Sequence, residues 1–504
     1  MSTPFYKQSP LPLIIDNEAV CTSHTFDVDS VEAPGTAVAT VCGATVKEAH
    51  AACAAAQRAG PEWRKMPLTE RRKILLKASE IFQQRIPEII ALETKETASS
   101  SGFAGFETAV LASAQFQETP IAMAQAMRGE TAPVDSAGKR MLVERVPYGC
   151  VLGIAPWNAP VTLGIRAVLA PLAGGNTVIL KTSEYSPTVH MAVMQCLFDA
   201  GLPKGVLNVL HVATKDAPEV TQALIAHPVV RKVNFTGSTN VGRIIAQICA
   251  KHLKPCMMEL GGKNPIVVTG NADVELAANN IVFNGFLHQG QICMSASNLI
   301  VHASLADDVA QKIGAIMAEQ ASLLSAGRKQ NHSGKDDEAH RLRPLFNAAS
   351  GERVKSLYED AVQQGAKLVG GKPAFEGSLV QPVVLNGLTK ESKFYSTEAF
   401  APMMGIIKYN TEQEAIDLAN GTDYGLSASV YSRDETEAYR IASAIDSGAV
   451  HINGGTVHDD QALHHGGMKN SGWGRFNGVA GIHEFTQSKC VTFNVPAQVP
   501  FHIM

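Results

Sequence analysis

The 504-residue sequence has no marked excess of charge of either sign and no paired-cysteine motif. Charged residues make up only 18% of the chain and the formal net charge is −4, so neither a basic nucleic-acid surface nor an acidic interaction tail is indicated. The nine cysteines are scattered and include no Cys-x-x-Cys pair, which argues against a disulfide framework and against a structural zinc site. This cysteine usage is typical of a reducing compartment, and we expect no bound metal.

Long apolar runs are missing as well. The uncharged segment 167–180 is interrupted by Pro171, Gly174 and Gly175, and it is shorter than the about 20 apolar residues that a membrane span needs. The amino-terminal segment lacks the apolar stretch of a signal peptide, and the terminal Phe-His-Ile-Met matches neither a peroxisomal address nor a prenylation box. We therefore expect a cytoplasmic protein whose partners include neither a membrane nor a nucleic acid.

Helical patterns dominate residues 1–130, where strand signals are few. The alanine-rich segment 46–59 and the segment 69–85, with apolar residues at helical spacing, are predicted helices. Ile86-Pro87 is predicted to end the second of these before another helix begins at residue 88.

From residue 150 onward, short apolar segments alternate with helical ones. The predicted strands are 151–155, 177–180, 207–210 and 232–235, and the predicted helices are 160–172, 187–200, 218–226 and 240–251. This alternation predicts a parallel, doubly wound sheet, in which ligands bind at the carboxyl ends of the strands. Lys181 and Gly237 fall near two of these ends.

A second α/β series follows the first. Its candidate strands are 265–268, 299–302, 379–384, 405–409, 427–431 and 449–453. Pro382 would restrict the third of them to a sheet edge, and the polar segment 326–343 is predicted to be an exposed loop. Segments 140–146 and 489–495 resemble isolated strands outside both series, which makes them candidates for contacts between subunits. The predicted fold class is α/β with two doubly wound domains, 1–132 plus 151–262 and 263–470, and oligomerisation strands in 133–150 and 484–498.

Two residues could carry covalent and acid–base chemistry. Cys293 follows Gly290 closely after a predicted helix, and a thiol there could be a nucleophile if its pKa were lowered. For one cysteine among nine, simple packing is the more common outcome. Glu259 ends an otherwise apolar strand, where burial would raise its pKa toward that of a general base near neutral pH. An ion-paired turn glutamate is the plainer interpretation.

Polar and glycine-rich segments follow three of the predicted strands. Asn158 could cap the next helix, or it could donate N–H groups to a developing oxyanion. The turn Gly237–Gly242 offers N–H groups that suit a phosphate, although it is not the G-x-G-x-x-G fingerprint. Lys181 and Glu184 could bind ribose hydroxyls, or both could be solvated loop charges.

Taken in order along the chain, these segments and Glu398-Ala-Phe400 strongly resemble the aldehyde dehydrogenase superfamily, from about residue 30 to residue 490. Three stretches, 234–239, 451–459 and 470–476, are most similar to the salicylaldehyde, benzaldehyde and vanillin dehydrogenase group. The resemblance implies NAD-dependent oxidation of a small aldehyde, with an aromatic one favoured, to its carboxylic acid. It also implies a Rossmann-like NAD-binding domain (1–132 and 151–262), a catalytic domain (263–470), and a homodimer or homotetramer.

The resemblance implies a role for each matching residue. Cys293 would be the nucleophile, Glu259 the base that activates the hydrolytic water, and Asn158 with the backbone N–H of Cys293 the oxyanion hole. The residues that would line or hold the cofactor site are Ile154, Ala155, Pro156, Trp157, Lys181, Glu184, Gly237, Ser238, Val241, Gly242, Glu398 and Phe400. Because Glu184 would repel a 2′-phosphate, NAD is expected, with NADP as the alternative.

Two residues are candidates for contact with the substrate. Arg166 lies just over two helical turns after Asn158 and could hold a hydroxyl, phenolate or carboxylate, while pairing with a neighbouring acid is the equal alternative. Thr456 is the second candidate. Two departures from the family pattern are Ala401, where a glycine is usual, and Leu463-His-His-Gly-Gly467, where Pro-Phe-Gly-Gly is common.

Other functions stay open on the sequence alone. A CoA-acylating dehydrogenase would need no hydrolytic base, so Glu259 argues against it. A non-catalytic, structural relative would not need every catalytic position filled. A cysteine esterase or acyltransferase would need a Cys-His-Asn/Asp arrangement, which cannot be placed in this sequence.

Overall fold

The structure is a computed structural model, and it describes residues 3–132, 134, 139–330, 342–370 and 372–494. Its α-helices are α1 (Val46–Lys65), α2 (Leu68–Thr97), α3 (Ser101–Gly105), α4 (Ser113–Ala126), α5 (Pro160–Ala173), α6 (Pro187–Asp199), α7 (Ala217–Ala226), α8 (Thr239–Lys251), α9 (Val274–Phe286), α10 (Ala306–Gln330), α11 (Ala348–Gln363), α12 (Lys393–Ser396), α13 (Glu412–Asn420), α14 (Glu435–Ala444) and α15 (Gly478–Glu484). A π-helical turn, Phe106–Ala112, joins α3 to α4, and 3-10 helices cover Phe5–Lys7 and Leu287–Gly290. None of the helices in the described ranges is both long and apolar enough to cross a bilayer.

The strands are short and fall into two large sheets and several small ones. They are β1 (Leu13–Ile15), β2 (Glu18–Val20), β3 (Thr25–Asp29), β4 (Ala37–Cys42), β5 (Glu130–Ala132), β6 (Arg140–Pro147), β7 (Cys150–Ile154), β8 (Thr177–Lys181), β9 (Leu207–Leu210), β10 (Val230–Thr236), β11 (Cys256–Glu259), β12 (Asn264–Val268), β13 (Ala296–His302), β14 (Lys367–Gly370), β15 (Phe375–Glu376), β16 (Leu379–Val380), β17 (Val383–Asn386), β18 (Met403–Tyr409), β19 (Tyr424–Gly425), β20 (Ser427–Tyr431), β21 (Ala449–Ile452), β22 (Met468–Lys469), β23 (Gly472–Trp473) and β24 (Thr486–Phe493).

The first large sheet has the order β2-β1-β9-β8-β7-β10-β11-β23, and its strands from β9 to β11 run parallel. Every residue of β7, β8 and β9 is buried, because helices cover both faces of a parallel sheet. The predicted alternation of strands and helices after residue 150 is confirmed, and the α/β fold class with it.

The second large sheet has the order β14-β17-β18-β13-β12-β20-β21, parallel except for the antiparallel edge strand β14. The predicted edge strand 379–384 is wrong. Pro382 lies in the gap between β16 and β17, so it removes no N–H from the ladder, and β17 pairs on both sides inside the sheet.

The two segments predicted as isolated strands pair with each other. β6 is antiparallel to β24 and to β5, with Pro147 opposite Thr486 and Arg140 opposite Phe493. Their position outside both large sheets is confirmed, whereas their isolation is wrong. Residues 133, 135–138 and 495–498 of the predicted oligomerisation strands lie outside the described residues, and a contact between subunits stays a prediction.

Three other local predictions are wrong. α2 runs unbroken through Pro87, because the buried side chains of Phe82 and Ile89 keep both halves packed on the core although one backbone hydrogen bond is lost. Residues 3–45 contain four short strands, β1 to β4, where the sequence predicted few strands. The predicted loop 326–343 is helical up to Gln330, and residues 331–341 lie outside the described residues.

Candidate active site

A cleft opens at the carboxyl ends of β7, β10 and β11, where a parallel sheet is expected to bind its ligands. It is lined by Pro156, Trp157, Asn158, Leu163, Thr236, Gly237, Ser238, Glu259, Leu260, Gly261, Cys293, Phe346, Ser350, Arg353, Glu398 and Phe400. The structure therefore brings Cys293, Glu259 and Asn158 together, as their candidate roles require. Ile154 and Ala155 are buried at the end of β7 and do not line the cleft, so their expected place on its wall is not supported.

Cys293 reaches the cleft from a strained turn after α9. His288, Gln289 and Gly290 have consecutive positive φ angles of 50°, 57° and 68°. Residues other than glycine rarely adopt such φ angles, and these angles persist only where the surrounding structure enforces them. A Cβ atom on Gly290 would lie 2.4 Å from the carbonyl oxygen of Ala401, so this close approach requires glycine. The turn is thus held in a single shape just before Cys293.

The Cys293 thiol donates a hydrogen bond to Oε1 of Glu259, with the sulfur 3.1 Å from the oxygen. Burial and the adjacent Glu259 carboxylate raise the pKa of Cys293 well above its ordinary value. This is the opposite of the lowered pKa that the sequence-based hypothesis required. The candidate nucleophile therefore rests as a thiol beside an acceptor for its proton.

Glu259 is 1% exposed and is surrounded by cationic and polar side chains. Its Oε2 accepts hydrogen bonds from Nη1 of Arg166 and Oγ1 of Thr236, each at 3.3 Å, and its Oε1 lies 3.6 Å from Nε2 of His465. Burial alone would raise the pKa of Glu259, but His465, Arg166 and Cys293 outweigh burial and lower it to about 2. The expected raised pKa is wrong, and the group is a carboxylate at neutral pH.

Arg166 is buried between two acids. Its Nη2 donates to Oδ2 of Asp459 at 2.5 Å, its Nη1 donates to Glu259, and its guanidinium lies 4.9 Å from the ring centre of Phe476. Of the two interpretations, the geometry supports pairing with neighbouring acids. Thr456 is fully buried and its hydroxyl has no partner among the described residues. Neither Arg166 nor Thr456 lines the cleft, and a substrate contact for either stays a prediction.

Asn158 does not cap α5, whose N-cap is Ala159. Instead, Nδ2 of Asn158 donates to the carbonyl oxygen of Gln291 at 3.0 Å, across to the turn that carries Cys293. A side-chain amide has two N–H groups, and within the described part of the chain the other has no acceptor. Asn158 can therefore hold the turn and still donate to a ligand beside Cys293.

The start of α8 lies at the cleft. Ser238 is its N-cap, and the Ser238 Oγ accepts from the backbone N–H of Val241 at 3.4 Å. Gly242 packs under Leu260, where a Cβ atom would lie 2.5 Å from a side-chain carbon. Gly237 and Ser238 line the cleft, whereas Val241 and Gly242 do not. A helix N-terminus at this place fits an anionic group.

Lys181 and Glu184 form an ion pair of 3.4 Å after β8, and their side chains are 8% and 19% exposed. The alternative of two solvated loop charges is therefore wrong. Oε1 of Glu184 also accepts from Oγ1 of Thr214 at 3.5 Å, and Glu184 lines a hollow next to the cleft that shares Phe346 with it. Glu184 can therefore accept from hydroxyl groups of a ligand that extends from one space into the other, and Lys181, which lines neither space, holds its carboxylate in place.

Glu398 faces the cleft from the opposite side. It accepts a hydrogen bond from the backbone N–H of Gly262 at 3.0 Å, and burial raises its pKa to about 7 against the opposing effect of that bond and of Arg353. Behind it, Nζ of Lys263 lies 3.3 Å from the ring centre of Phe394 and has no hydrogen-bond partner among the described residues. Burial lowers the pKa of Lys263 well below its ordinary value.

Aromatic rings form one wall of the cleft. Trp157 stacks on Phe346 with ring centres 4.0 Å apart and an angle of 20° between planes, and its edge meets Phe400 at 6.0 Å. Such a wall suits a planar ligand group. Sequence reasoning did not find Phe346, because no motif marks it, although Trp157 and Phe400 were among the candidates.

Two polar neighbours of Glu259 and Arg166 were also missed. Asp459 and His465 lie in the segments 451–459 and 463–467, which were noted only for a subgroup likeness and a departure from the family pattern. The available signal was His465, which stands where the family pattern usually has phenylalanine and so places a polar group at an apolar position. Nothing in the sequence pointed to its partner.

Comparisons with known proteins bear on the family and the fold of this chain. A family model described as "Aldehyde dehydrogenase family" matches residues 22–491. A vanillin dehydrogenase of Pseudomonas fluorescens is 44% identical over 92% of this chain and 94% of its own, and a salicylaldehyde dehydrogenase of Pseudomonas putida is 41% identical over 91% and 92%. The crystal structure of a salicylaldehyde dehydrogenase from Pseudomonas putida G7, complexed with salicylaldehyde, superposes with a TM-score of 0.90 at 37% identity, over 97% of this chain and 99% of that one.

Proposed function

The chain belongs to the aldehyde dehydrogenase family, and we propose that it oxidises aromatic aldehydes to carboxylic acids with NAD, through a thioester on Cys293. The observation that carries this proposal is the 3.1 Å contact between the Cys293 thiol and the Glu259 carboxylate, in a cleft that Asn158 also lines. The aromatic class is supported by relatives named for vanillin and salicylaldehyde.

The first chemical step would be proton transfer from Cys293 to Glu259. Because the pKa of the thiol is raised, the resting enzyme holds little thiolate, and the proton must be removed during the reaction. Glu259 is the group placed to accept that proton. The sulfur then bonds to the aldehyde carbon, and the carbonyl electron pair becomes an oxyanion. The free N–H of Asn158 and the backbone N–H of Cys293 would stabilise that charge, which is absent in the ground state.

The cleft fits a dinucleotide cofactor. The N-terminus of α8 at Ser238 would face its phosphates, Lys181 and Glu184 one ribose, and Glu398 the other, with Phe400 and Trp157 beside a planar ring. When bound, NAD supplies the acceptor for the hydride that leaves the substrate carbon. Preference for NAD over NADP rests on the Glu184 carboxylate, which would repel a 2′-phosphate.

Glu259 would first release to solvent the proton that it took from Cys293, and hydrolysis of the thioester would then use it a second time, as the acceptor of a proton from water. In the acyl-enzyme the Cys293 thiol proton is gone, so one of the contacts that lower the Glu259 pKa is lost. The carboxylate therefore becomes a stronger base at the stage that requires one. The water oxygen attacks the carbonyl carbon, the C–S bond breaks, and the acid leaves while Cys293 regains its proton.

The test is an absorbance assay of NADH formation over aliphatic, benzylic and hydroxylated benzylic aldehydes, with NAD and with NADP, in the absence and presence of CoA. We expect the highest kcat/KM for benzylic aldehydes with NAD, and the free acid as product. An acyl-CoA product would favour the acylating alternative, and no reduction with any aldehyde would favour a non-catalytic relative.

Replacing Arg166 with leucine separates its two interpretations. If Arg166 stabilises the Glu259 carboxylate, its loss removes one of the charges that oppose the effect of burial, so the pKa of Glu259 rises. The value of kcat then falls once the pH drops below this higher pKa. The acidic limb of the kcat–pH profile should then move toward neutral pH, while KM changes equally for hydroxylated and plain benzaldehydes. A KM increase confined to hydroxylated aldehydes, with an unmoved profile, would instead identify Arg166 as a substrate contact.

A further inference from the structure

Helices α5 and α6 begin without side-chain caps of their own. The N-cap of α5 is Ala159 and that of α6 is Ser186, and neither side chain accepts a hydrogen bond from its helix. Each helix has proline as its first residue, Pro160 or Pro187, which has no N–H to satisfy. The next N–H groups of each buried helix end therefore need an acceptor from elsewhere in the molecule.

Two buried glutamates supply the acceptors. Oε1 of Glu107 accepts from the backbone N–H of Thr162 at 2.7 Å, in the first turn of α5. The two carboxylate oxygens of Glu96 accept from the backbone N–H groups of Thr188 and Val189, at 3.2 and 3.1 Å, in the first turn of α6. Glu107 and Glu96 are 0% and 2% exposed. A carboxylate buried at a helix N-terminus also interacts favourably with the helix dipole.

The glutamates come from two successive helical segments, which residues 98–100 separate. Glu96 lies in the last turn of α2, and Glu107 lies in the π-helical turn before α4, a kind of turn that frequently marks functional sites. Beside Glu107 lies Glu93, whose pKa is raised well above its ordinary value by burial and by the Glu107 carboxylate. Burial also raises the pKa of Glu107 and that of Glu96 to about 7, although the backbone N–H groups of α5 and α6 that they accept from oppose this shift.

We propose that Glu107 and Glu96 are positioning residues, Glu107 for Asn158 and Glu96 for the loop that carries Lys181 and Glu184. Asn158 lies four residues before Thr162, so fixing the first turn of α5 fixes the backbone from which the Asn158 amide is aimed. Glu184 lies four residues before Thr188 in the same relation to α6. One stretch of chain behind the sheet thus orients two parts of the cleft.

This inference rests on the proposed function, and it predicts opposite kinetic effects for two otherwise similar changes. In Glu107→Ala the oxyanion donor should be misplaced, and a displacement of about 1 Å can cost about 10²-fold in rate, so kcat should fall while KM and Kd for NAD stay within about twofold. In Glu96→Ala kcat should be retained within about twofold, while KM and Kd for NAD rise about fivefold to tenfold, the size of a lost helix cap expressed as an equilibrium constant.

The experiment compares both variants with wild type and with Asp434→Ala. Asp434 caps α14 in the second half of the chain by accepting from the N–H groups of Thr436 and Glu437, so its loss controls for the stability effect of a missing cap. Steady-state kinetics give kcat and KM, isothermal titration with NAD gives Kd without turnover, and thermal unfolding gives Tm. Glu107→Gln and Glu96→Gln retain an acceptor oxygen and serve if an alanine variant does not fold; each should show the same effect as its alanine counterpart, but smaller.

The outcomes are distinct. A kcat effect for Glu107 variants and an NAD-affinity effect for Glu96 variants, with Asp434→Ala kinetically normal, supports the inference. Equal changes of kcat and Kd in both glutamate variants, or kinetics as normal as those of Asp434→Ala, would overturn it and leave the glutamates a purely structural role. A wild-type protein that reduces no NAD with any aldehyde would instead refute the proposed function.

Discussion

Replacing Cys293 with alanine is expected to abolish aldehyde oxidation, with kcat falling on the order of 10⁴-fold or more, the scale seen when a catalytic nucleophile is removed. Without the sulfur no covalent adduct forms, and the substrate carbon has no neighbouring oxyanion to expel its hydride. Steady-state NADH formation measures the loss, and titration with NAD should give an unchanged Kd, because Cys293 is not among the candidate cofactor contacts.

Cys490→Ala is the matched control. Cys490 is an exposed thiol on β24 and does not line the cleft, so its loss should leave kcat unchanged. Wild-type protein mixed with an aldehyde and NAD, then quenched in acid, should show an acyl adduct by mass spectrometry on the peptide that contains Cys293. An adduct on another cysteine, or full turnover in Cys293→Ala, would exclude this thiol as the nucleophile.

Glu259→Gln is expected to release at most about one equivalent of NADH per subunit and then stall, because an amide cannot accept a proton from the hydrolytic water. The burst should also be slower than in wild type, since the resting thiol loses the acceptor that lies 3.1 Å away. Stopped-flow absorbance separates the burst from the steady state. Raising the pH should restore the burst rate more than the steady-state rate, because hydroxide can deprotonate the thiol directly.

Glu412→Gln is the control for this change. Glu412 forms a surface ion pair with Arg440, and an exposed pair contributes little to folding, so kinetics should stay normal. A Glu259→Gln enzyme with wild-type steady-state turnover would remove Glu259 from the hydrolytic step. An enzyme with no burst at any pH would show instead that Glu259 is indispensable for thiol activation.

The electrostatics of the site show where sequence reasoning reached its limit. The resemblance to a known family implied that Cys293 and Glu259 act at one site, but both predicted pKa directions were wrong. The sequence shows that Glu259 ends an apolar strand, which predicts burial; it does not show that Arg166 and His465, both far along the chain, meet at that carboxylate. Long-range neighbours decide the sign of a pKa shift when burial and charge oppose each other.

The same limit applies to the fold. The alternation of strands and helices was readable because periodicity is local, whereas the pairing of β6 with β24 joins segments more than 300 residues apart. Two predictions gave too much weight to a proline. Pro87 does not end α2, because the buried residues on both sides of it pack on the core, and Pro382 does not restrict a strand to the sheet edge, because it lies between β16 and β17. Ile154 and Ala155 are buried and do not line the cleft, because a strand end near a binding site still turns some residues into the core, and their contact with a cofactor stays a prediction.

Lys263 shows a hazard specific to a protein that handles aldehydes. Burial lowers the pKa of Lys263 well below its ordinary value and so favours the neutral amine, which is the form that condenses with aldehydes; the enzyme's own substrate could therefore react with this side chain. Lys263 is 2% exposed and faces the ring of Phe394 rather than the cleft. The same burial that favours the neutral amine therefore also keeps aldehydes away from it. Removing the Phe394 ring, as in Phe394→Ala, would expose Lys263 to the substrate, and we expect slow inactivation of the enzyme during turnover.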